Sequence, residues 1–322
     1  MHTVLLLASL LVVMLVSHLA LRSHQRMHSW SQRRIVQSVV LVMPLLSLGI
    51  STCALHHVLG HPCFPSTPFW DDLFGSVLAL ALLTSALGAL LWGSARWILM
   101  RWLLPRVGTC AGDSLQAFVM VCAQRLGIRP PAVRRLVADR PLAWVSGWVR
   151  SWLLLSSWME KHLDRRELEA VVMHELAHVA RRDTLVLWMG RVLRDAFWYL
   201  PTSRAAYRQM DQDKEFACDD LVVGVTHRPL ALASALTKVW LQAEDGTATS
   251  TFELAHYLEG TRPQMVERIE RLMEKHASST VMVSAPSGVS VLSALGIVET
   301  LTLLLLFAVM ACGPVLLLTR WV

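Results

Sequence analysis

The sequence predicts a mainly α-helical membrane protein with a compact α+β domain, carrying a small β-sheet, inserted between its spans. Three observations carry that prediction. Of 322 residues, 54% are hydrophobic and only 17% are charged. Four apolar runs are each long enough, as helices, to cross about 30 Å of hydrocarbon. A long stretch of ordinary polar content separates the third run from the fourth. Gly (16), Pro (13) and six scattered Cys exclude a collagen repeat, a disordered chain and a disulfide-stapled mini-domain.

The runs are 3–21, 35–55, 76–98 and 296–319. Arg22, Arg26, Arg33 and Arg34 follow the first, whereas the loop 56–75 has no Lys or Arg. Basic loops stay on the cytoplasmic side, so both termini are expected outside a multi-pass cell-membrane protein, with 22–34 and 101–285 in the cytoplasm. The domains expected are 1–100 with three spans, 101–285 as the cytoplasmic domain, and 286–322 with the fourth span and a short external tail. This topology accounts for the net charge of +6 without direct nucleic-acid binding. The first run does not read as a cleaved signal, because its leading residues carry no Lys or Arg and the positive cluster comes after it.

Within 101–285 the elements follow in order. A helix over 113–126 ends at Gly127, and a strand near 132–137 follows Pro130-Pro131. The apolar stretch 142–159 is long enough to mimic a fifth span. Arg150 near its centre would cost about 2.5 to 3.5 kcal/mol there, and Gly147 interrupts it, so it reads as a hairpin of strands 143–146 and 151–156. The second of these is expected at the sheet edge, where an extended substrate could add as a further strand. Asp164 as N-cap with Glu167 three residues on opens a long helix through Arg182. Helices over 183–199 (closed by Pro201), 205–223, 230–243 and 264–276 follow, and then a linker, 277–288, rich in Ser, Pro and Gly and open to self-cleavage.

The chemistry is concentrated in His174-Glu175-Leu176-Ala177-His178. Four residues make about one helical turn, so both imidazoles share a face and can hold one metal, with Glu175 beside them as a base for water. Such a centre needs a third protein ligand and an open position. Glu215, in the acidic run 211–220, is the candidate, and Asp219 one turn later can accept the outer N–H of a ligating His. Zinc is the expected ion.

Residues 168–183 around this motif, Phe197-Trp198-Tyr199-Leu200-Pro201, and Glu215-Phe216-Ala217-Cys218-Asp219 resemble the BlaR/MecR-type antirepressor membrane zinc metallopeptidases. The segment 141–157 and Arg268-Ile269 agree with that resemblance, which is close over 112–276 and looser over the spans. More distantly the chain is similar to HtpX-like and prenyl-protein proteases of gluzincin type. The resemblance implies an inserted gluzincin-type zinc protease domain. It also implies an integral-membrane endopeptidase with a protein substrate, a DNA-binding transcriptional repressor being one expected partner. An HtpX-type quality-control protease is the alternative, and a non-catalytic zinc-stabilised receptor a further one. The penicillin-binding sensor domain of the antibiotic receptors is not matched, so β-lactam sensing is not expected.

His227, His256, Tyr257 and Arg268 are candidates for stabilising the oxyanion of the transition state. His56, His57, His61 and Cys63 read as an ordinary polar loop, with Cys53 and Cys63 available to pair in an oxidising exterior. The Trp residues read as interfacial anchors, and Glu299 as a snorkelling side chain at the end of its span.

Overall fold

The structure is a computed structural model that describes residues 2–24, 27, 29–45, 69–103, 108–147, 151–245 and 262–278. Packing separates two units. The described parts of 1–97 and 186–213 form one, and those of 98–185 and 214–296 the other.

The first unit contains α1 (His2–His24), α2 (Trp30–Val42) and most of α3 (Phe69–Leu103). Among the described residues two helices are long and apolar enough to cross a membrane, with windows Leu6–Ser23 and Ser76–Met100, each of mean hydropathy 1.9. On α1 the residues Leu7, Leu11, Leu15 and Leu19 recur every turn and are each more than half exposed. A helix that presents leucine outwards in this way suits a lipid solvent. Only the first part of the expected span 35–55 falls in α2, which starts earlier, at Trp30. The remainder of that run, the span 296–319, most of the loop 56–75 and most of the linker 277–288 lie outside the described residues, as do Cys53, His56, His57, His61, Cys63 and Glu299. Inside this unit the backbone of Gly93 is approached closely: Trp188 Nε1 donates to its carbonyl at 3.0 Å. A Cβ at position 93 would lie 2.6 Å from Val192 Cγ2. Gln37 is fully buried and donates to Asp213 Oδ2 at 2.7 Å.

The second unit holds a four-stranded sheet in the order β1-β2-β4-β3, built from β1 (Thr109–Cys110), β2 (Ala132–Leu136), β3 (Ala143–Ser146) and β4 (Trp152–Ser156). β3 and β4 pair antiparallel, Val145 opposite Leu153, which is the expected hairpin in place of a fifth span. β2 and β4 run parallel. The expectation that 151–156 lies at the edge is overturned, because β4 sits between β2 and β3. Its Leu153, Leu154 and Leu155 are at most 2% exposed, and a strand covered on both faces reads as an unbroken apolar run. Among the described residues, the edge strand on this side of the sheet is β3.

Helices α4 (Asp113–Arg125), α5 (Ser157–His162), α6 (Arg165–Ala180), α7 (Asp183–Ala196), α8 (Pro201–Thr226), α9 (Pro229–Asp245) and α10 (Arg262–Ser278) complete the described elements. Gly127, at φ 66, ends α4 as the sequence suggests. Pro201 stands at the first position of α8, four residues before the predicted start, since a proline that cannot continue one helix is preorganised to open the next. The core of this unit gathers Leu126, Leu153, Val172, Leu176, Val222 and Leu232.

Candidate metal centre

The start of α6 is fixed by its own chain. Asp164 Oδ1 accepts from the backbone N–H of Arg166 and Glu167 at 2.7 and 2.8 Å, and Glu167 returns a carboxylate oxygen to the Asp164 N–H at 2.8 Å. Glu167 is held again from α9, by Ser234 at 2.6 Å and Lys238 at 2.7 Å. From that anchor α6 runs into the core, with Val172, Met173, Leu176 and Ala177 fully buried. His174 and His178 travel with them, one turn apart, their rings edge to face at 5.0 Å.

α8 brings Glu215 to the same place. His174 Nε2 lies 3.2 Å and His178 Nε2 3.8 Å from its two carboxylate oxygens. One donor atom from each of the three residues falls within 4.8 Å of the other two. Two imidazoles and a carboxylate at that separation match the donor set of a catalytic zinc, three protein ligands with a position left over. The Glu215 side chain is 24% exposed, against 4% for His174 and 9% for His178, so the opening is on the Glu215 side.

The outer nitrogen of each imidazole meets a carboxylate. Asp219, one turn beyond Glu215, lies 3.0 Å from His174 Nδ1, the place sequence spacing assigned to it. Asp183 lies 3.0 Å from His178 Nδ1, and sequence reasoning did not single it out. Both carboxylates are backed by arginine. Arg268, from α10, donates from Nε and Nη2 to Asp219 at 2.8 Å each and places Nη1 3.1 Å from Glu215. Its Nη2 also lies 3.4 Å from His174 Nε2, so the fold brings this oxyanion candidate to the centre. Of the other candidates, His227 is exposed and closes α8 in a left-handed turn at φ 55, whereas His256 and Tyr257 lie outside the described residues.

Glu175 is 1% exposed, and the backbone of Val145 on β3 is close enough to favour its charged form. Burial, with the neighbouring Glu215 charge, pushes its carboxyl up to about 8 in the metal-free centre. Positive charge brought into the centre draws it back down. Burial lowers the His174 imidazole, but hydrogen bonds to Asp219 and Glu215 outweigh it and hold it up at about 9. Burial is the main reason that His178 is lowered. Glu215 is kept well below the usual carboxylate range, because Arg268, His174 and Lys214 overcome its desolvation. Asp219, by the same balance with Arg268 and His174, is held at about 2.

Known proteins share this arrangement of sequence. The family described as BlaR1 peptidase M56 matches residues 5–272. A protease HtpX homolog of Acidiphilium cryptum is 25% identical, the match covering 62% of this chain and 86% of that protein. Another, from Thermococcus kodakarensis, is 25% identical over 56% of this chain and 80% of its own length. The methicillin resistance mecR1 protein of Staphylococcus aureus is 30% identical over 28% of this chain and 15% of that protein. The chain thus spans a small part of that last relative's length.

Proposed function

Since the chain belongs to the BlaR1 peptidase M56 family, a family of membrane metallopeptidases, we propose that it is an integral-membrane zinc endopeptidase. Its substrate is a cytoplasmic protein such as a DNA-binding repressor, cut at a specific site in response to a signal. The observation that carries the reading is the convergence of His174, His178 and Glu215 beside a buried Glu175 that lies near the edge strand β3.

His174, His178 and Glu215 would hold the zinc, which when bound would supply Lewis acidity towards a carbonyl and water. The remaining steps belong to the protein. An extended substrate adds antiparallel or parallel to the outer edge of β3, exchanging backbone hydrogen bonds with it, and its scissile bond is brought towards Glu175 because that carboxylate lies near Val145 of the strand. Glu175 takes a proton from the attacking water at a carboxylate oxygen and returns it to the leaving nitrogen as the C–N bond breaks. Positive charge in the centre lowers the proton affinity that burial has raised, and so favours the carboxylate form that can accept the proton. His174 and His178 stay oriented through Asp219 and Asp183.

The topology expected from the basic loops puts the second unit in the cytoplasm. It supports a cytoplasmic substrate and a cell-membrane location, with the bilayer as the other partner. A quality-control role of the HtpX type is the second reading, favoured by the extent of the match to HtpX homologs. The deciding experiment offers the purified full-length protein, with zinc, two substrates: a repressor encoded beside its gene and a misfolded membrane protein. Cleavage of the repressor at one bond supports the first reading. Indiscriminate cleavage of the misfolded protein with the repressor left intact supports the second.

A further inference from the structure

The carboxylate beside His178 comes from an unexpected place in the chain. Asp183 is five residues past His178, and in a continuing α-helix it would be rotated by about 140° from the imidazole, on the far side of the helix. The chain does not continue. α6 stops with Arg181 as its C-cap, and Arg182 takes a left-handed conformation at φ 56, its N–H bonded to the Val179 carbonyl at 3.1 Å. A side chain other than glycine in that region costs of order 1 kcal/mol. Past the turn, the Asp183 carboxylate lies back at the ring the chain has just left.

At Asp183 the donors converge on one oxygen. Oδ2 accepts from His178 Nδ1 at 3.0 Å, from Arg181 Nε at 3.3 Å and from Cys218 Sγ at 3.5 Å. His178, Asp183, Arg181 and Cys218 are all buried, none above 7% exposed. Cys218 also approaches His178 Nδ1 at 3.2 Å. The thiol thus stands as a donor to Asp183, and the carboxylate is the acceptor within reach of Nδ1.

We propose that Asp183 is a positioning residue for the metal centre: by accepting the Nδ1 proton of His178 it fixes that imidazole in the tautomer whose Nε2 lone pair faces Glu215. Arg181 and Cys218 hold the carboxylate in place. The inference rests on the metal reading above. The two imidazoles are then supported in parallel ways, His174 through Asp219 and Arg268, His178 through Asp183 and Arg181, with the second support drawing on the turn after the helix and one buried thiol. A carboxylate that orients a ligating imidazole typically changes metal affinity about 10- to 100-fold when removed.

The test uses the full-length protein in detergent, with zinc affinity measured by chelator competition and the visible spectrum recorded after loading with cobalt(II). Asp183→Asn is expected to weaken zinc binding about 10- to 100-fold and to shift the cobalt bands, and Asp183→Glu to recover part of both. Loss of packing alone would leave the cobalt spectrum of the loaded fraction unchanged. Zinc affinity of Asp183→Asn within threefold of the parent, with an unchanged cobalt spectrum, overturns the proposal while leaving the metal centre standing. A parent protein that binds no zinc overturns both. The parent alone supplies a reading should the variants not fold. With its histidines labelled with nitrogen-15 and zinc bound, two protected Nδ1 protons are expected, one each on His174 and His178. A deprotonated His178 Nδ1 overturns the proposal.

Discussion

Helices α3 and α6 invert one another. α3 is apolar and shows that surface outwards, with Leu80, Leu87, Leu91 and Trp92 each more than half exposed. α6 carries two His and two Glu that are nearly or fully buried. Hydropathy sorts residues only once the solvent on each side is known. A bare leucine on α3 is at no disadvantage where the surroundings are hydrocarbon. A buried carboxylate on α6 is tolerable only where other groups replace the water it has lost. Glu167 has Ser234 and Lys238, and Glu175 has the charges of His174 and Arg268 and the Val145 backbone near it. The two helices therefore depend on different things, the first on its environment and the second on named partners.

The largest effect expected from breaking α6 chemically is on activity. Glu175→Gln keeps the shape of the side chain but cannot take a proton, and should lower cleavage by about 10²- to 10⁴-fold while zinc content, measured by elemental analysis, stays at the parental level. Loss of zinc along with activity would assign Glu175 to the ligands instead. Next in size is Arg268→Ala, which strands Asp219 in a buried position. Removing one partner of such a pair costs about 3 to 5 kcal/mol, to be read as a fall in the unfolding midpoint of the metal-free protein.

α3 should answer to a different kind of change. Leu87→Arg, near the middle of its apolar window, should cost about 2.5 to 3.5 kcal/mol of insertion, measured as the fraction of chains integrated into microsomes. An unchanged fraction would mean that α3 is not surrounded by lipid. Acid should act on α6 and its partners alone. Asp219 is held at about 2 against 3.8 for the free side chain, so its contribution is present above about pH 4 and is lost as pH falls towards 2. That is about 2 kcal/mol in the metal-free protein, visible as a midpoint that drops on acidification and drops less in Asp219→Asn. His174, raised from 6.5 to about 9, works in the opposite sense, its contribution present below 6.5 and lost as pH rises through 9. The smallest change is Asp164→Ala, which removes the cap of α6 at a cost of about 0.5 to 2 kcal/mol, read by denaturant titration.

What could be read in advance follows the same division. The position of α6 was legible because its cap and its two His lie within one segment and obey one period. The hairpin was legible because Gly147 and Arg150 broke an apolar run that a span would have kept whole. Strand order was not, since β4 could be an edge or an interior strand with the same leucines until its neighbours were known. The six-residue α5 and the two-residue β1 are too short to leave a periodic signal. Glu215 and Asp219 were accessible through their one-turn spacing. Asp183 was hidden because its role requires Arg182 to leave the ordinary backbone region, which nothing in an Arg-Arg-Asp triplet announces. Arg268 was visible only as a candidate donor, because its commitment to Asp219 and Glu215 depends on how α10 packs.

The left-handed turn at Arg182 makes length, more than composition, the protected quantity in this part of the chain. Asn or Gly, which enter that conformation more readily, could replace Arg182 with the reversal intact. One residue added or removed between His178 and Asp183 would instead swing the carboxylate off the imidazole, whatever side chains were chosen. Variation in this stretch is thus confined to substitutions: single-codon insertions and deletions across 179–182 should lower zinc affinity at least as far as Asp183→Asn does, about 10- to 100-fold, where most substitutions leave it near the parental value.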